Sequence, residues 1–414
     1  MSSFKPTRRQ TLVFGASAFG ASAALLGPGL FTPAIAQKKY GPGVTDTEIK
    51  IGQTVPHSGP GSLYGVLGRA AQAYFDEVND SGGVNGRKIK FMSLDDAYSA
   101  PKTVEATRRL VEQEEVLLLF GGLGTGAQSA VQKYLNTKGV PQILLNTGAG
   151  RWNNPKEFKW TTPALPLYPT EGTILARYLV SVKPDAKVAV FYQNDEFGRD
   201  YMTAFKKVLA DAGGNAKVVA EASYDLTDPT VDSQLINLSK SGADVFFNIS
   251  TGKATSQSIR KVSELGWKPL HIVVSTSVGR SILNAAGAEN AKGIVSVQYA
   301  KEPGSPRWKD DPGIKAFHAV REKRMANVDP DNTIALQGYS QGVTVVHILK
   351  QCGDELTREN VLKYATNLNG FAAPMFLPGI TFSTTPDDYT PMKKLYVGTF
   401  SGDEWDLAGD PVSQ

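Results

Sequence analysis

The chain is poor in the residues from which most catalytic and metal centres are built. It has one cysteine, Cys352, so no disulfide can form within it. Its four histidines, His57, His271, His318 and His347, stand apart from one another and from that cysteine. No spacing among them supplies the ligands of a zinc site, and neither a metal nor a cofactor is expected. Charge of one sign is not in large excess, with 44 basic against 40 acidic residues. No cluster of Lys and Arg with interleaved aromatics appears, which removes the usual footprint of a nucleic-acid partner. Long apolar runs are missing too: the apolar stretch near the N-terminus is broken by Pro28 and Pro33 before it reaches the roughly 20 residues of a membrane span.

That N-terminal stretch has a reading of its own. Arg8 and Arg9 precede a Gly- and Ala-rich segment that closes with Ala34-Ile35-Ala36. This is the pattern of a secretory leader of the twin-arginine kind over residues 1–36, which would place the mature protein in the periplasm. Lys5, Arg8 and Arg9 lie in the leader and no acidic residue does, so the remaining 378 residues carry a formal charge of only +1. A chain of that length suits two domains better than one core.

Along those residues a short apolar run, a glycine-containing turn and a helix-period segment recur. Ile49 to Val55, Ile89 to Leu94, Val116 to Phe120, Ile143 to Leu145, Val188 to Tyr192, Val218 to Ala222, Val245 to Ile249 and Ile272 to Val274 read as buried strands. Leu67, Ala71, Tyr74 and Val78 share one helical face, and Tyr201, Phe205, Val208 and Ala212 another. Asp228-Pro229 reads as a helix start, with N-cap and N1 residues in place. Past residue 300 come helical segments at roughly 312–325, 334–351 and 357–366, then a Pro/Gly-punctuated tail with a short strand, Leu395 to Phe400. Strand and helix alternating in this way imply an α/β fold of two doubly wound, parallel-sheet lobes.

The segment Gly122-Leu-Gly-Thr-Gly-Ala127 has the G-x-G-x-x-A spacing of a dinucleotide turn. Such a site needs an acidic residue about 20 positions on, for the ribose. None occurs between Val116 and Lys156, so only an NADP-type enzyme with Arg151 on a 2′-phosphate stays open as an alternative. The more modest reading is an anion site: glycines that let a ligand approach the main chain, followed by a helix N-terminus with unpaired N–H groups. A carboxylate satisfies it as well as a phosphate does, and Thr125 adds a hydroxyl.

The order GQTVPHSGPGSLYG (52–65), AYFDEVNDSGGVNGRKIKFMSLDDAYSAPKT (73–103), GVPQILLNTGAGRWNNP (139–155) and VAVFYQNDEFGRDY (188–201) resembles the leucine/isoleucine/valine-binding family of periplasmic solute-binding proteins. The resemblance covers essentially the whole mature chain. It implies a type I binding-protein fold with residues 40–163 plus 300–376 in an N-terminal lobe and 164–299 plus 377–414 in a C-terminal lobe. Hinges are expected near Thr162–Pro166, Val297–Glu302 and Leu377–Pro386, with the ligand in the cleft. Carried onto this chain, it puts the ligand carboxylate against Thr125 and Gly126 and against Gly148, Ala149 and Gly150. Tyr64 comes from the first loop, Phe197, Thr251 and Thr276 from the second lobe, and Tyr339 from a helix bordering the side-chain pocket. Asp96 is expected to brace loops.

Three positions depart from the family's amino-acid-binding pattern. Phe197 stands where a tyrosine is usual, Gly150 replaces a hydroxyl-bearing residue, and Thr276 takes the place of the carboxylate that holds the ligand's ammonium. A cation enclosed without a counter-charge costs several kcal/mol, so the expected ligand is a small carboxylate or amide without a free ammonium. The resemblance implies a monomeric receptor that delivers its solute to an ABC permease in the inner membrane. A periplasmic ligand-sensing module on the same fold is the alternative. An enzyme is not expected, because no nucleophile and base are paired in sequence near the turn.

Overall fold

The structure, a computed structural model, describes residues 38–413; the leader expected at residues 1–36 lies outside them. Five strands, β1 (Glu48–Val55), β2 (Lys88–Asp95), β3 (Leu118–Phe120), β4 (Gln142–Leu145) and β5 (Thr161–Pro163), form a parallel sheet in the order β2-β1-β3-β4-β5. β3 and β4 are buried along their whole length, which is why they read as apolar runs rather than alternating ones. Helices α1 (Val66–Asp80), α2 (Ala100–Arg108) and α3 (Thr125–Lys138) make the crossovers. α1 turns Leu67, Ala70, Ala71 and Phe75 inward. Phe75 meets Phe91 and Phe120 at ring distances of 5.2 and 5.7 Å, the aromatic centre of this lobe.

The chain then enters a second sheet through α4 (Tyr168–Val182). β6 (Lys187–Gln193), β7 (Lys217–Tyr224), β8 (Val245–Ile249), β9 (Leu270–Val273) and β10 (Val295–Gln298) run parallel, in the order β10-β9-β8-β6-β7. Their connections carry α5 (Glu196–Asp211), α6 (Asp232–Ser239), α7 (Gly252–Glu264), α8 (Arg280–Ala286) and α9 (Ala288–Ala291). After β10 the chain returns to the first lobe as α10 (Pro312–Arg324), α11 (Thr333–Cys352) and α12 (Arg358–Ala365), with α11 packed along α1. It crosses once more to add β11 (Lys394–Phe400) and β12 (Trp405–Leu407) beside β10. These last strands are antiparallel, unlike the rest of the sheet, and β11 and β12 form a hairpin, which needs no crossover.

Two local expectations fail. Val116 and Leu117 lie ahead of β3, where their carbonyls accept from the Arg358 guanidinium at 2.8 and 3.2 Å. Asp228-Pro229 does not start a helix: the Asp228 carboxylate accepts from the N–H of Asp225, closing a turn, and α6 begins four residues later at Asp232. In α11, Gly338-Tyr339-Ser340-Gln341-Gly342 has the G-x-S-x-G spacing of a hydrolase elbow. It is the middle of a helix rather than a strained strand-to-helix turn, and the Ser340 hydroxyl is buried and accepts from Met375 N–H. Those glycines serve packing, since a Cβ on Gly338 would collide with the Leu67 backbone of α1. Gly338→Val should therefore destabilise the fold by about 1–3 kcal/mol through overpacking, read as a lowered denaturant midpoint with unchanged slope.

Candidate functional site

The loops at the carboxyl ends of both parallel sheets converge on one cavity of about 770 Å³, the place where open α/β sheets hold ligands. On the first lobe it meets the start of α3. Gly124 precedes that helix at φ 91°, and no side chain caps it. Among the described residues the N–H groups of Thr125, Gly126 and Ala127 have no acceptor. They carry the partial positive charge of the helix end. The Thr125 hydroxyl is buried and bonds the Thr147 hydroxyl at 2.7 Å. Gly126 is exposed, with open space where a Cβ would lie, and sits beside rather than in the cavity wall.

Two acidic residues fix the loops around that helix start. Asp95 accepts from the N–H groups of His57, Ser58 and Ala97 and from the Ser58 hydroxyl. Although burial alone would raise its pKa, these bonds bring it down to about 2. The loop so held carries Tyr64 to the cavity, where its hydroxyl lies buried near Gly252 and Ser277 of the second lobe without a hydrogen bond of regular geometry. Asp96 accepts from Tyr98 N–H at 2.9 Å and from the Thr103 hydroxyl at 3.1 Å, the bracing role expected of it. It holds Ala97 and Tyr98 at positive φ of 48° and 59°, a conformation that costs on the order of 1 kcal/mol or more per residue. The Tyr98 ring lies against Gly124, 2.9 Å from where a Cβ would be. The ring thus occupies the side of this middle glycine of the dinucleotide-like spacing on which a Cβ would lie.

The second lobe supplies the opposite wall. Phe197, 3% exposed, packs edge-on against Tyr168 at 5.1 Å. Thr251 donates to the Gln193 side-chain oxygen at 2.7 Å, and its N–H donates to the Tyr224 hydroxyl. The Thr276 hydroxyl is buried and has no partner among the described residues. Tyr64, Thr125, Phe197, Thr251 and Thr276 therefore line one cavity.

The remaining positions do not join them. Gly148 gives its carbonyl to Tyr168 N–H and is covered by the Tyr168 ring; Ala149 is fully buried; Gly150 gives its N–H to the Asp200 carboxylate at 2.8 Å. That loop lies behind the cavity wall, and Tyr168, whose phenol rests against Thr147 and Thr125, takes the place expected of it. Tyr339 points into the helix interface, against Tyr74 at 5.0 Å and Phe317 at 5.5 Å, while Gln337, half a turn earlier, reaches the cavity. Tyr98, Tyr168 and Tyr224 carry no sequence signal beyond being tyrosines near strand ends.

Among the described residues, no carboxylate borders the cavity beside Thr125. Asp195 caps α5 and accepts from Gln193, and Glu196 pairs with Arg151 at 3.2 Å. The acids that do line the cavity are Asp228, engaged in its turn, and Glu302, paired with Arg280 at 2.7 Å. No group of three or more His, Cys, Asp or Glu among the described residues could hold a metal ion.

A model of the family described as periplasmic binding protein matches residues 48–404. A Leu/Ile/Val-binding protein homologue from Brucella abortus is 26% identical over 336 residues, which cover 78% of this chain and 82% of the relative. A branched-chain amino acid ABC transporter protein from Thermus thermophilus, solved with bound valine, superposes with a TM-score of 0.81 at 16% identity and covers 90% of this chain and 98% of its own. A solute-binding protein from R. palustris, solved with benzoate, reaches 0.74 at 21%, covering 89% and 98%. At such identities the solved structures establish likeness of fold.

Beneath the second-lobe wall lies Glu171 of α4, fully buried. Its carboxylate accepts from the N–H and the hydroxyl of Ser275, both at 2.6 Å, and so fixes the loop that carries Thr276. Burial raises its pKa to about 7, with the phenols of Tyr201 and Tyr299 close by and no cation among its partners. Between about pH 4.5 and 7 the folded protein keeps a proton there that the unfolded chain releases, so this group's contribution to stability falls as pH rises through that window. Glu171→Gln should remove the loss: relative to the variant, the wild type should weaken by on the order of 1 kcal/mol per pH unit between pH 5 and 7, checked by denaturant unfolding of both proteins across that range.

Proposed function

Because the chain belongs to the periplasmic binding protein family, we propose that it is the extracytoplasmic solute-binding receptor of an ABC uptake system of the branched-chain amino acid type. It captures a small carboxylate or amide between its lobes. The observation that carries this reading is the uncapped start of α3, whose first residue, Thr125, lines a cavity walled also by Tyr64, Tyr98, Tyr168, Phe197 and Tyr224. The N–H groups and Thr125 take the anionic end, and the aromatic rings take the apolar body. Closure brings Phe197, Thr251 and Thr276 onto the ligand, and the ligand favours the closed form only by its extra affinity for it. The closed form is the one that docks on the permease.

Valine and benzoate in the two similar structures span the choice between a ligand with and without an ammonium. Here the choice falls on the second, because Thr276 offers a hydroxyl where a counter-charge is needed and Asp195 and Glu196 are already engaged. Titration calorimetry with leucine, valine, aliphatic amides and aromatic acids tests it. Ammonium-free acids or amides should bind more tightly than leucine, and leucine outcompeting every one of them would refute the choice. Thr125→Val should weaken the bound acid by about 10- to 100-fold, the worth of one or two hydrogen bonds to a charged group, while leaving the far-UV spectrum unchanged.

A further inference from the structure

Buried polar atoms without partners are rare in folded proteins, and each is costly unless something outside the chain satisfies it. Among the described residues eleven side-chain atoms are in that position, and five belong to residues that line the one large cavity. Tyr64 and Thr276 account for two of them, in the wall already described. The other three are the Ser281 hydroxyl, the Gln298 amide nitrogen and one carboxylate oxygen of Glu302. Gln298 and Glu302 are 7% and 9% exposed and alternate along one extended segment with Ala300, so all three side chains share a face. That face leads from the cavity into a narrow recess bounded by Trp405.

This group is a different part of the cavity from the Thr125 turn. Gln298 and Glu302 also line the narrow recess with Trp308, Leu377 and Glu404, and no residue of the Thr125 turn borders it. The cavity wall also carries the apolar side chains of Val278, Ile282, Val297 and Met375 and the ring of Tyr299. We infer that the cavity holds a bifunctional ligand: a carboxylic acid whose apolar body ends in a neutral donor–acceptor group, a hydroxyl or primary amide, seated against Ser281, Gln298 and Glu302.

The charge of that far group follows from the ion pair. The second oxygen of Glu302 is 2.7 Å from the Arg280 guanidinium, which also donates to the Asp403 carbonyl. A cationic end would meet Arg280, and an anionic end would meet Glu302. A hydroxyl meets neither objection, since it donates to the free Glu302 oxygen and accepts from the Gln298 N–H, with Ser281 able to serve as either. A primary amide matches the same pattern.

The inference rests on the reading of the Thr125 turn as a carboxylate site, and the test separates the two. Calorimetry would use the mature protein and arylalkanoic acids from benzoate to 4-phenylbutanoate, each with its para-hydroxy counterpart. At least one hydroxylated acid should bind about tenfold more tightly than its parent, the net worth of one well-made buried hydrogen bond. In Gln298→Leu and Ser281→Ala that ratio should fall towards one while the parent acid keeps its affinity; the serine variant serves if the leucine variant does not fold. Parents that bind in a Thr125-dependent way with no hydroxyl preference in any pair, or a preference that survives both substitutions, overturn the inference and leave the carboxylate site standing. Failure of both series to bind overturns the carboxylate site and the inference with it.

Discussion

The N–H groups of Thr125, Gly126 and Ala127 are the point on which the site depends. A helix that leaves the end of a buried parallel strand cannot pair its first donors internally, and among the described residues neither a side chain nor another loop takes them. Their direction is set by a short strand, β3, buried among Phe75, Phe91 and Phe120, and by Gly124, whose left-handed backbone lets the chain turn into the helix. Tyr98 lies against that glycine from a loop that is itself under strain and held by Asp96. A donor set mounted this way is preorganised, so little of the binding energy is lost in ordering it.

The opposite wall obtains its rigidity by a different route. Its hydroxyls and amides are bound to one another below the surface: Thr251 and Tyr224 through Gln193, and Ser275 through the buried carboxylate of Glu171. Where the chain passes back towards α10, Arg280 meets Glu302 and Lys301 meets Asp311 in mostly buried pairs. Breaking one partner of such a pair is expensive because the other is left charged in a poor solvent. The crossing segment is thereby tied to α8 of the second lobe and to the start of α10.

The α/β rhythm was legible in the chain because strands buried on both faces and helices with one apolar stripe leave different periods in the sequence. Asp228-Pro229 misled because a local turn satisfied the carboxylate before a helix could. The turn at Gly122 to Ala127 was legible as a glycine turn into a helix start with unpaired N–H groups because its chemistry is that of the main chain, which neighbouring side chains alter little. Gly148 to Gly150 and Tyr339 were assigned by position in a family pattern. A one-residue change in how a loop is covered, with Tyr168 over Gly148 and Asp200 on Gly150, removes them from the cavity wall.

What the sequence by itself determined is therefore whatever depends on local periodicity and on backbone donors: two layered lobes and the place of a helix start with unpaired N–H groups. The tertiary structure alone decided which side chains complete that place. Tyr98, Tyr168, Tyr224 and Gln298 come from four separate loops and strands, and only the packing of helices on two sheets brings them to one cavity. It also decided which acids remain free to meet a ligand, since Asp195, Glu196 and Asp200 look available in the chain and are each engaged in the fold. Partners so distant along the chain leave no mark on the spacing of either residue, because the distance that matters is measured through the folded core.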